Sequence, residues 1–288
     1  MPANVGAAVR AAAAALAATS DTARLDAEWL MAHALGVSRS DLLLRHMGDA
    51  VPAGFAALVA RRAGHEPVAY ILGHAEFYGL TLAVGPDVLI PRGDSETLIE
   101  AARLALEGRP PARILDLGTG SGCLLLAALS LWPQAEGVGV ERSAGARAVA
   151  GANAQRLGLP ARIIAADWTM AGWAADLGRF ELILANPPYV EADAALAPDV
   201  AGHEPHSALF SGPEGLDDYR LLIPQLPALL APQGLALIEI GWQQAAAVAA
   251  IAHAAGLATR LHHDLAGRPR TIAAWASGAP WEEGAAQA

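Results

Sequence analysis

A strand that runs into a glycine-rich turn and leaves it as a helix is compatible with few folds, and this chain contains one. Arg113–Leu117 reads as the strand, Asp116-Leu117-Gly118-Thr119-Gly120-Ser121-Gly122 as the turn, and Cys123–Leu131 as the helix that follows. Alternate glycines let the backbone reverse tightly and bring the helix N–H groups close to a ligand. The alternation then continues. Gly137–Val140, Arg162–Ala166, Glu181–Ala185 and Leu235–Ile240 read as strands, Ala144–Leu157 and Gln243–Ala255 as helices, and Thr259–His263 with Thr271–Trp275 as two closing strands. Strands separated by helices pair in parallel and are covered on both faces, which predicts an α/β domain on a mostly parallel, seven-stranded sheet.

The first part of the chain follows a different rule. Apolar residues recur at helical spacing through Leu25–Leu35, Leu42–Leu44 and Phe55–Val59, with breaks at Gly36, Val51-Pro52 and Gly64, so residues 1–73 are expected to form a small all-helical domain. The alanine run Ala11–Ala18 reads as part of a first amphipathic helix whose pattern continues through Leu25, Trp29, Leu30 and His33. Glu76–Leu82 and Val88–Ile90, separated by Gly85-Pro86, read as a hairpin, giving a linker at 74–91. The α/β domain is expected over 92–277, and 278–288 as a loose tail.

Composition narrows the chemistry. Hydrophobic residues make up 54% of the chain and charged ones 17%, which excludes disorder for its bulk. No apolar run approaches the roughly 18 residues of a membrane-spanning helix. A single cysteine excludes an internal disulfide and a cysteine-based zinc cluster, and a cytoplasmic protein is expected. All 19 cations are arginine, so Schiff-base lysines and the lysine of a Walker A loop are absent. The net charge of −10, with no basic run, lacks the footprint of a duplex-binding protein. We expect a small-molecule or protein substrate, no direct contact with nucleic acid or membrane, and a monomer.

Four constellations carry the chemistry. The first is the glycine turn. Position 123 is cysteine where a dinucleotide fingerprint needs its third glycine, and an acid, Asp116, precedes Gly118. That acid suits a ligand with an ammonium group, such as the amino-acid end of S-adenosylmethionine. Second, Glu141 closes the next strand, at a spacing from which a carboxylate accepts from both ribose hydroxyls. Third, Asp167-Trp168 closes the third strand, where a carboxylate can accept from an adenine amine while an indole packs on the ring. Alone, Glu141 would read as a solvated acid and Trp168 equally well as a core anchor. Fourth, Asn186-Pro187-Pro188-Tyr189 closes the fourth strand. Two prolines remove two N–H donors and stiffen the backbone. The Asn186 side-chain oxygen and the Pro187 carbonyl could then accept both hydrogens of a planar NH2 group, with Tyr189 flat against it.

These residues resemble the class I S-adenosylmethionine-dependent methyltransferases that modify planar NH2 groups. Within them the chain is similar, over nearly its whole length, to the release-factor glutamine methyltransferases (the HemK/PrmC family). The resemblance rests on Asp26-Ala27-Glu28, Glu66 to Gly73, Glu76-Phe77-Tyr78, Ile90-Pro91-Arg92-Gly93-Asp94-Ser95-Glu96, Glu204-Pro205, Gly215-Leu216, Tyr219-Arg220 and Gly241-Trp242-Gln243-Gln244. Gly93 stands where the family usually has proline, Ser95 where it has threonine, and His203 where an aromatic precedes Glu204-Pro205. The resemblance implies a Rossmann-like methyltransferase domain behind a helical protein-docking domain. It implies S-adenosyl-L-methionine as cofactor, S-adenosyl-L-homocysteine as product, and the glutamine of the Gly-Gly-Gln motif of peptide-chain release factors as substrate. Asp116, Gly118 to Gly122, Glu141, Asp167, Trp168 and Asn186 would hold the cofactor, and Asn186, Pro187, Pro188 and Tyr189 the substrate. An adenine-N6 methyltransferase uses the same loop and is the alternative enzyme, as is glutamine methylation of another protein such as a ribosomal protein. A non-catalytic cofactor-binding module would have no need of the Asn-Pro-Pro-Tyr loop. His203 with His206, and His262-His263, lack a third partner in sequence for a metal site.

Overall fold

The computed structural model describes residues 4–276 together with Ala279 and Trp281. Two compact units emerge, and the chain enters the first of them twice: one unit takes the chain up to Ala75 together with Leu196–Glu204, the other takes Glu76–Ala195 and the chain from Pro205 on.

The smaller unit is helical, as its sequence predicts. Val5–Leu16 is capped by Asn4, whose side chain accepts from the Ala7 amide, and Ala23–Leu35 ends at Gly36 in the left-handed conformation. The expected continuity between these helices does not occur. The chain turns at Thr19–Thr22, where the Ser20 and Thr22 hydroxyls donate to Asp26 at 2.7 and 2.8 Å and so settle the entry to the second helix. Val5, Leu16, Leu30, Met31, Leu42, Phe55 and Ile71 form the core. Arg62 is a buried cation in this unit, paired with Asp26 at 2.7 Å and 3.9 Å from Asp199 of the returning segment.

A two-stranded sheet follows, β1 (His74–Phe77) and β2 (Leu80–Ala83). The predicted hairpin is therefore displaced. Its turn is Tyr78-Gly79, both with positive φ (48° and 75°), the two-residue geometry that matches strand twist. Tyr78 tolerates this because its amide donates to Glu96 at 2.8 Å and its hydroxyl to Glu100. Val88–Ile90, expected as the second strand, lies outside any strand and begins in a bend.

The larger unit is built on β3 (Arg113–Leu117), β4 (Glu136–Glu141), β5 (Ala161–Ala165), β6 (Phe180–Ala185), β7 (Leu230–Glu239), β8 (Leu257–His263) and β9 (Pro269–Ala276). Their order across the sheet is β5-β4-β3-β6-β7-β9-β8; the first five are parallel and β9 runs antiparallel to both its neighbours. Alternation along the strands divides the side chains between two cores. Ile114, Leu182, Leu184, Leu235 and Leu237 enter one, with Leu125 and Leu129 of helix Cys123–Leu131. Leu115, Leu117, Val138, Val140, Ile183 and Ile238 enter the other, with Tyr219 and Val248. Chain order reverses between β3 and β6, so the crevice at their carboxyl ends is where a ligand site is expected in such a sheet. No helix among the described residues is long and apolar enough to cross a membrane.

Most of the expected loose tail, 278–288, lies outside the described residues. Ala279 and Trp281 depart from that expectation: both are buried, and the Arg109 guanidinium stacks 4.4 Å from the Trp281 ring centroid.

Candidate active site

The cleft at the carboxyl edge of β3–β6 lies within the larger unit. Its lining brings together Asp116, Gly118, Thr119, Gly120, Ser121, Glu141, Asp167, Trp168, Asn186 and Pro188. Gly122, Pro187 and Tyr189 stand outside that lining. Gly122 instead caps helix Cys123–Leu131 in a left-handed conformation, φ 85°.

Gly118, Gly120 and Gly122 all have positive φ, so the turn is open to glycine at each of these positions. At Gly118 there is a second reason. A Cβ there would lie 3.1 and 3.3 Å from ring carbons of Trp168, so the indole rests on bare backbone. The turn is sewn to β4, with the Gly118 and Thr119 amides donating to the Val140 carbonyl at 2.9 and 3.0 Å. Asp116, at the end of β3, is 1% exposed; Thr119 Oγ1 donates to its Oδ2 at 2.6 Å, while Oδ1 is buried without a hydrogen-bond partner. Burial pushes this carboxyl up to about 7, against the pull of the Thr119 hydroxyl.

Glu141 ends β4 with each oxygen on one amide: Oε2 accepts from Gly120 at 3.1 Å and Oε1 from Ser143 at 2.8 Å. A carboxylate oxygen accepts more than one hydrogen bond, so both retain capacity for a ligand hydroxyl. Asp167 Oδ1 accepts from the Thr169 amide and hydroxyl at 2.9 and 2.8 Å, and that amide in particular holds the carboxyl below its usual range. Trp168 is the core anchor that its sequence allowed, and it also faces the cleft. Its Nε1 donates to Asp218 at 3.2 Å. Burial pushes the Cys123 thiol up to about 12, which keeps it protonated and inert as a nucleophile.

Asn186 leaves β6 with its Nδ2 3.4 Å from Ser95 Oγ. Pro187 and Pro188 are buried, and the Tyr189 hydroxyl donates to Glu239 Oε1 at 3.3 Å. Burial, with Glu239 beside it, raises the Tyr189 phenol well above its ordinary value. Gln244 holds the loop from the other side, donating to the Tyr189 carbonyl at 3.0 Å while its Oε1 accepts from the Gly241 amide, also at 3.0 Å.

Three residues that matter here escaped the sequence reading. Asn153, fully buried, accepts from the Ala83 amide at 2.7 Å and donates to the Ala83 and Ser121 carbonyls at 3.0 and 2.9 Å, tying the glycine turn to β2. An asparagine inside helix Ala144–Leu157 was its only available signal. Ser95 appeared only as a departure from threonine. Glu239 was detectable as a carboxylate interrupting the apolar run that ends β7.

The chain matches the PrmC N-terminal domain family over residues 7–73 and the methyltransferase small domain family over 94–202. It is 46% identical over 259 residues to a release factor glutamine methyltransferase of Rhodospirillum rubrum, covering 87% of this chain and 78% of that protein. It is 44% identical over 276 residues to one from Cereibacter sphaeroides, covering 93% and 96%. In fold it is similar to the hMettl16 catalytic domain, solved in complex with MAT2A 3'UTR hairpin 6, with a TM-score of 0.56 over 76% of this chain and 81% of that one. That likeness, at 16% identity, is one of fold alone. The matches to the two curated relatives cover most of the chain, and the chain belongs to the release factor glutamine methyltransferase family.

Proposed function

We propose that the protein transfers a methyl group from S-adenosylmethionine to the side-chain amide nitrogen of a glutamine, that of the Gly-Gly-Gln motif in peptide-chain release factors. The observation that carries this reading is the pairing, in one cleft, of a glycine turn beside two strand-end acids with Asn186 on a rigid Pro-Pro loop. The cleft fits the cofactor. Asp116 keeps a buried oxygen with no hydrogen-bond partner, suited to an ammonium, and Glu141 retains acceptors for two ribose hydroxyls. Asp167 would accept from the adenine amine and Trp168 would pack on the ring.

When bound, S-adenosylmethionine supplies an electrophilic methyl group on a sulfonium. The work of the chain is positional, because an amide nitrogen is a weak nucleophile whose lone pair is delocalised. Asn186 Oδ1 and the Pro187 carbonyl would accept the two amide hydrogens and so fix the nitrogen for attack on that methyl group, with S-adenosyl-L-homocysteine leaving. Pro187 and Pro188 keep the loop from relaxing, and Tyr189 bounds the amide plane. The nitrogen, more acidic once methylated, releases its surplus proton to water. The test is mass spectrometry of a purified release factor after incubation with enzyme and S-adenosylmethionine. We expect a single methyl group on the glutamine of that motif; modification elsewhere, or of nucleic acid instead, rejects the assignment.

A further inference from the structure

The Trp168 indole is held mostly by contacts that have no direction. The ring packs on the core and lines the cleft. A Cβ at Gly118 would lie 3.1 and 3.3 Å from its Cη2 and Cζ3, so the far edge of the ring lies over bare backbone. Apolar contacts of this kind resist separation and say little about rotation in the plane of the ring. The ring has one polar atom, Nε1, and an indole N–H can only donate. Whatever accepts from it sets which way the ring lies.

That acceptor is Asp218, whose Oδ1 takes the Nε1 hydrogen at 3.2 Å. Its other oxygen is already committed. Ser211 Oγ donates to Oδ2 at 2.8 Å and itself accepts from the Asp218 amide, also at 2.8 Å, so serine and aspartate clasp each other. Ser211 is 3% exposed, and its own amide donates to the Val190 carbonyl at 2.9 Å. Val190 directly follows the Asn-Pro-Pro-Tyr loop, and the Tyr189 and Val190 amides both donate to the Leu209 carbonyl, at 3.1 and 2.8 Å. The Trp168 carbonyl is held separately, accepting from Gln225 Nε2 at 3.1 Å. Backbone and ring of Trp168 thus have different anchors, and the anchor of the ring stands on a segment hydrogen-bonded to the end of the substrate loop.

We propose that Asp218 is a positioning residue: through Oδ1 it sets the pose of the Trp168 indole as one wall of the cofactor site, and through Ser211 it registers that wall against the segment that carries Asn186. A carboxylate suits this place because it must accept from an indole N–H and from a serine hydroxyl at once. Asparagine can still serve. Its oxygen would face Trp168, and its NH2 would donate to Ser211 Oγ, whose own hydrogen is released. This deepens the S-adenosylmethionine reading of the cleft and rests on it for the effect on affinity, while the pose of the indole is measurable in the free chain.

The test uses the full chain with Asp218→Ala, Asp218→Asn, Ser211→Ala, Trp168→Phe and the Trp168→Phe/Asp218→Ala pair. The seven tryptophans give seven indole N–H signals in 15N–1H spectra, and that of Trp168 is the one lost in Trp168→Phe. Without ligand, it should move and exchange faster with solvent in Asp218→Ala. It should move the same way, by less, in Ser211→Ala, and stay nearest its native position in Asp218→Asn. By calorimetry, Asp218→Ala should weaken S-adenosylmethionine binding by about three- to tenfold, the scale of one net hydrogen bond, and Asp218→Asn should recover most of it. Phenylalanine keeps a ring and has no N–H, so Asp218→Ala should cost little further affinity on the Trp168→Phe background. A merely structural aspartate would cost the same on both. Asp218→Leu, with the same branching and no acceptor, replaces Asp218→Ala should that variant fail to fold. An indole signal unmoved in Asp218→Ala or in Ser211→Ala, native affinity in Asp218→Ala, or equal losses on the two backgrounds overturn the proposal. A native chain that binds no S-adenosylmethionine overturns the cofactor reading instead, and the indole signal still decides the pose.

Discussion

The two halves of the cleft hold their functional groups by different means. Around the glycine turn, backbone does the holding: Glu141 is fixed by two amides, Asp167 by the Thr169 amide and hydroxyl, and the turn by the Val140 carbonyl. Around Asn186, side chains from far-separated segments do it, with Ser95 before the sheet begins, Glu239 at the end of β7 and Gln244 beyond it. Backbone anchoring tolerates sequence change and fixes a ligand that is the same in every turnover. Side-chain anchoring is directional, and it suits the acceptor role proposed for Asn186.

That contrast breaks first at Asn186. Asn186→Ala removes the acceptor and should slow single-turnover transfer by about a hundredfold or more, the scale of a misplacement near 1 Å. Cofactor affinity should fall much less by calorimetry, because the other groups proposed to hold the cofactor lie on the other half. A parallel loss of affinity would show that the two halves are one unit. The opposite variant, Glu141→Ala, should weaken S-adenosylmethionine binding by about 1.5–3 kcal/mol, the usual worth of hydrogen bonds to a charged group. Its transfer rate at saturating cofactor should stay close to native. Calorimetry giving the native affinity would reduce Glu141 to a strand-end acid.

Asn153 sharpens the comparison, since on the backbone-held half its side chain ties the glycine turn to a distant strand. Asn153→Ala leaves buried groups of Ala83 and Ser121 unpaired, and should cost about 1–3 kcal/mol in denaturant unfolding. A loss below about 0.5 kcal/mol would mean that water replaces the amide without penalty.

The smallest effect is in pH. Each half contains one buried acid raised by burial to about 7: Asp116 from 3.8 and Glu239 from 4.5. Between those values the folded chain keeps a proton that the unfolded chain has lost, so these groups make stability fall as pH rises through that window. Asp116→Asn should flatten the fall in melting temperature between pH 5 and pH 8, and by linkage a bound ammonium beside Asp116 should expel its proton. Melting curves that decline as steeply as in the native protein would exclude Asp116 as a source.

How much of this was readable from sequence follows the same divide. The strands, the turn and its glycines, Glu141, Asp167 and the Asn-Pro-Pro-Tyr loop are local patterns, and period-2 and strand-helix alternation exposed them. Glu239 meets the Asn186–Tyr189 loop only through sheet order, which brings β6 beside β7, and Ser95 reaches Asn186 from outside the sheet; periodicity says nothing about either contact. The misplaced hairpin has a local cause. Tyr78 occupies a left-handed turn position that its residue type disfavours, and only Glu96 and Glu100, distant in sequence, make that position tolerable. The continuous first helix failed because hydroxyl capping of Asp26 by Ser20 and Thr22 outweighs an apolar period that runs on through the break.

The return of Leu196–Glu204 to the helical unit has a consequence for biosynthesis. A chain emerging from the ribosome can close the Arg62–Asp26 pair early, but the second carboxylate near that cation, Asp199, is made only after β3, β4, β5 and β6 have been translated. The amino-terminal unit is therefore not finished when its helices are. Its last piece arrives from within the sequence of the next unit, so a fragment cut at Ala75 lacks a segment of the mature unit.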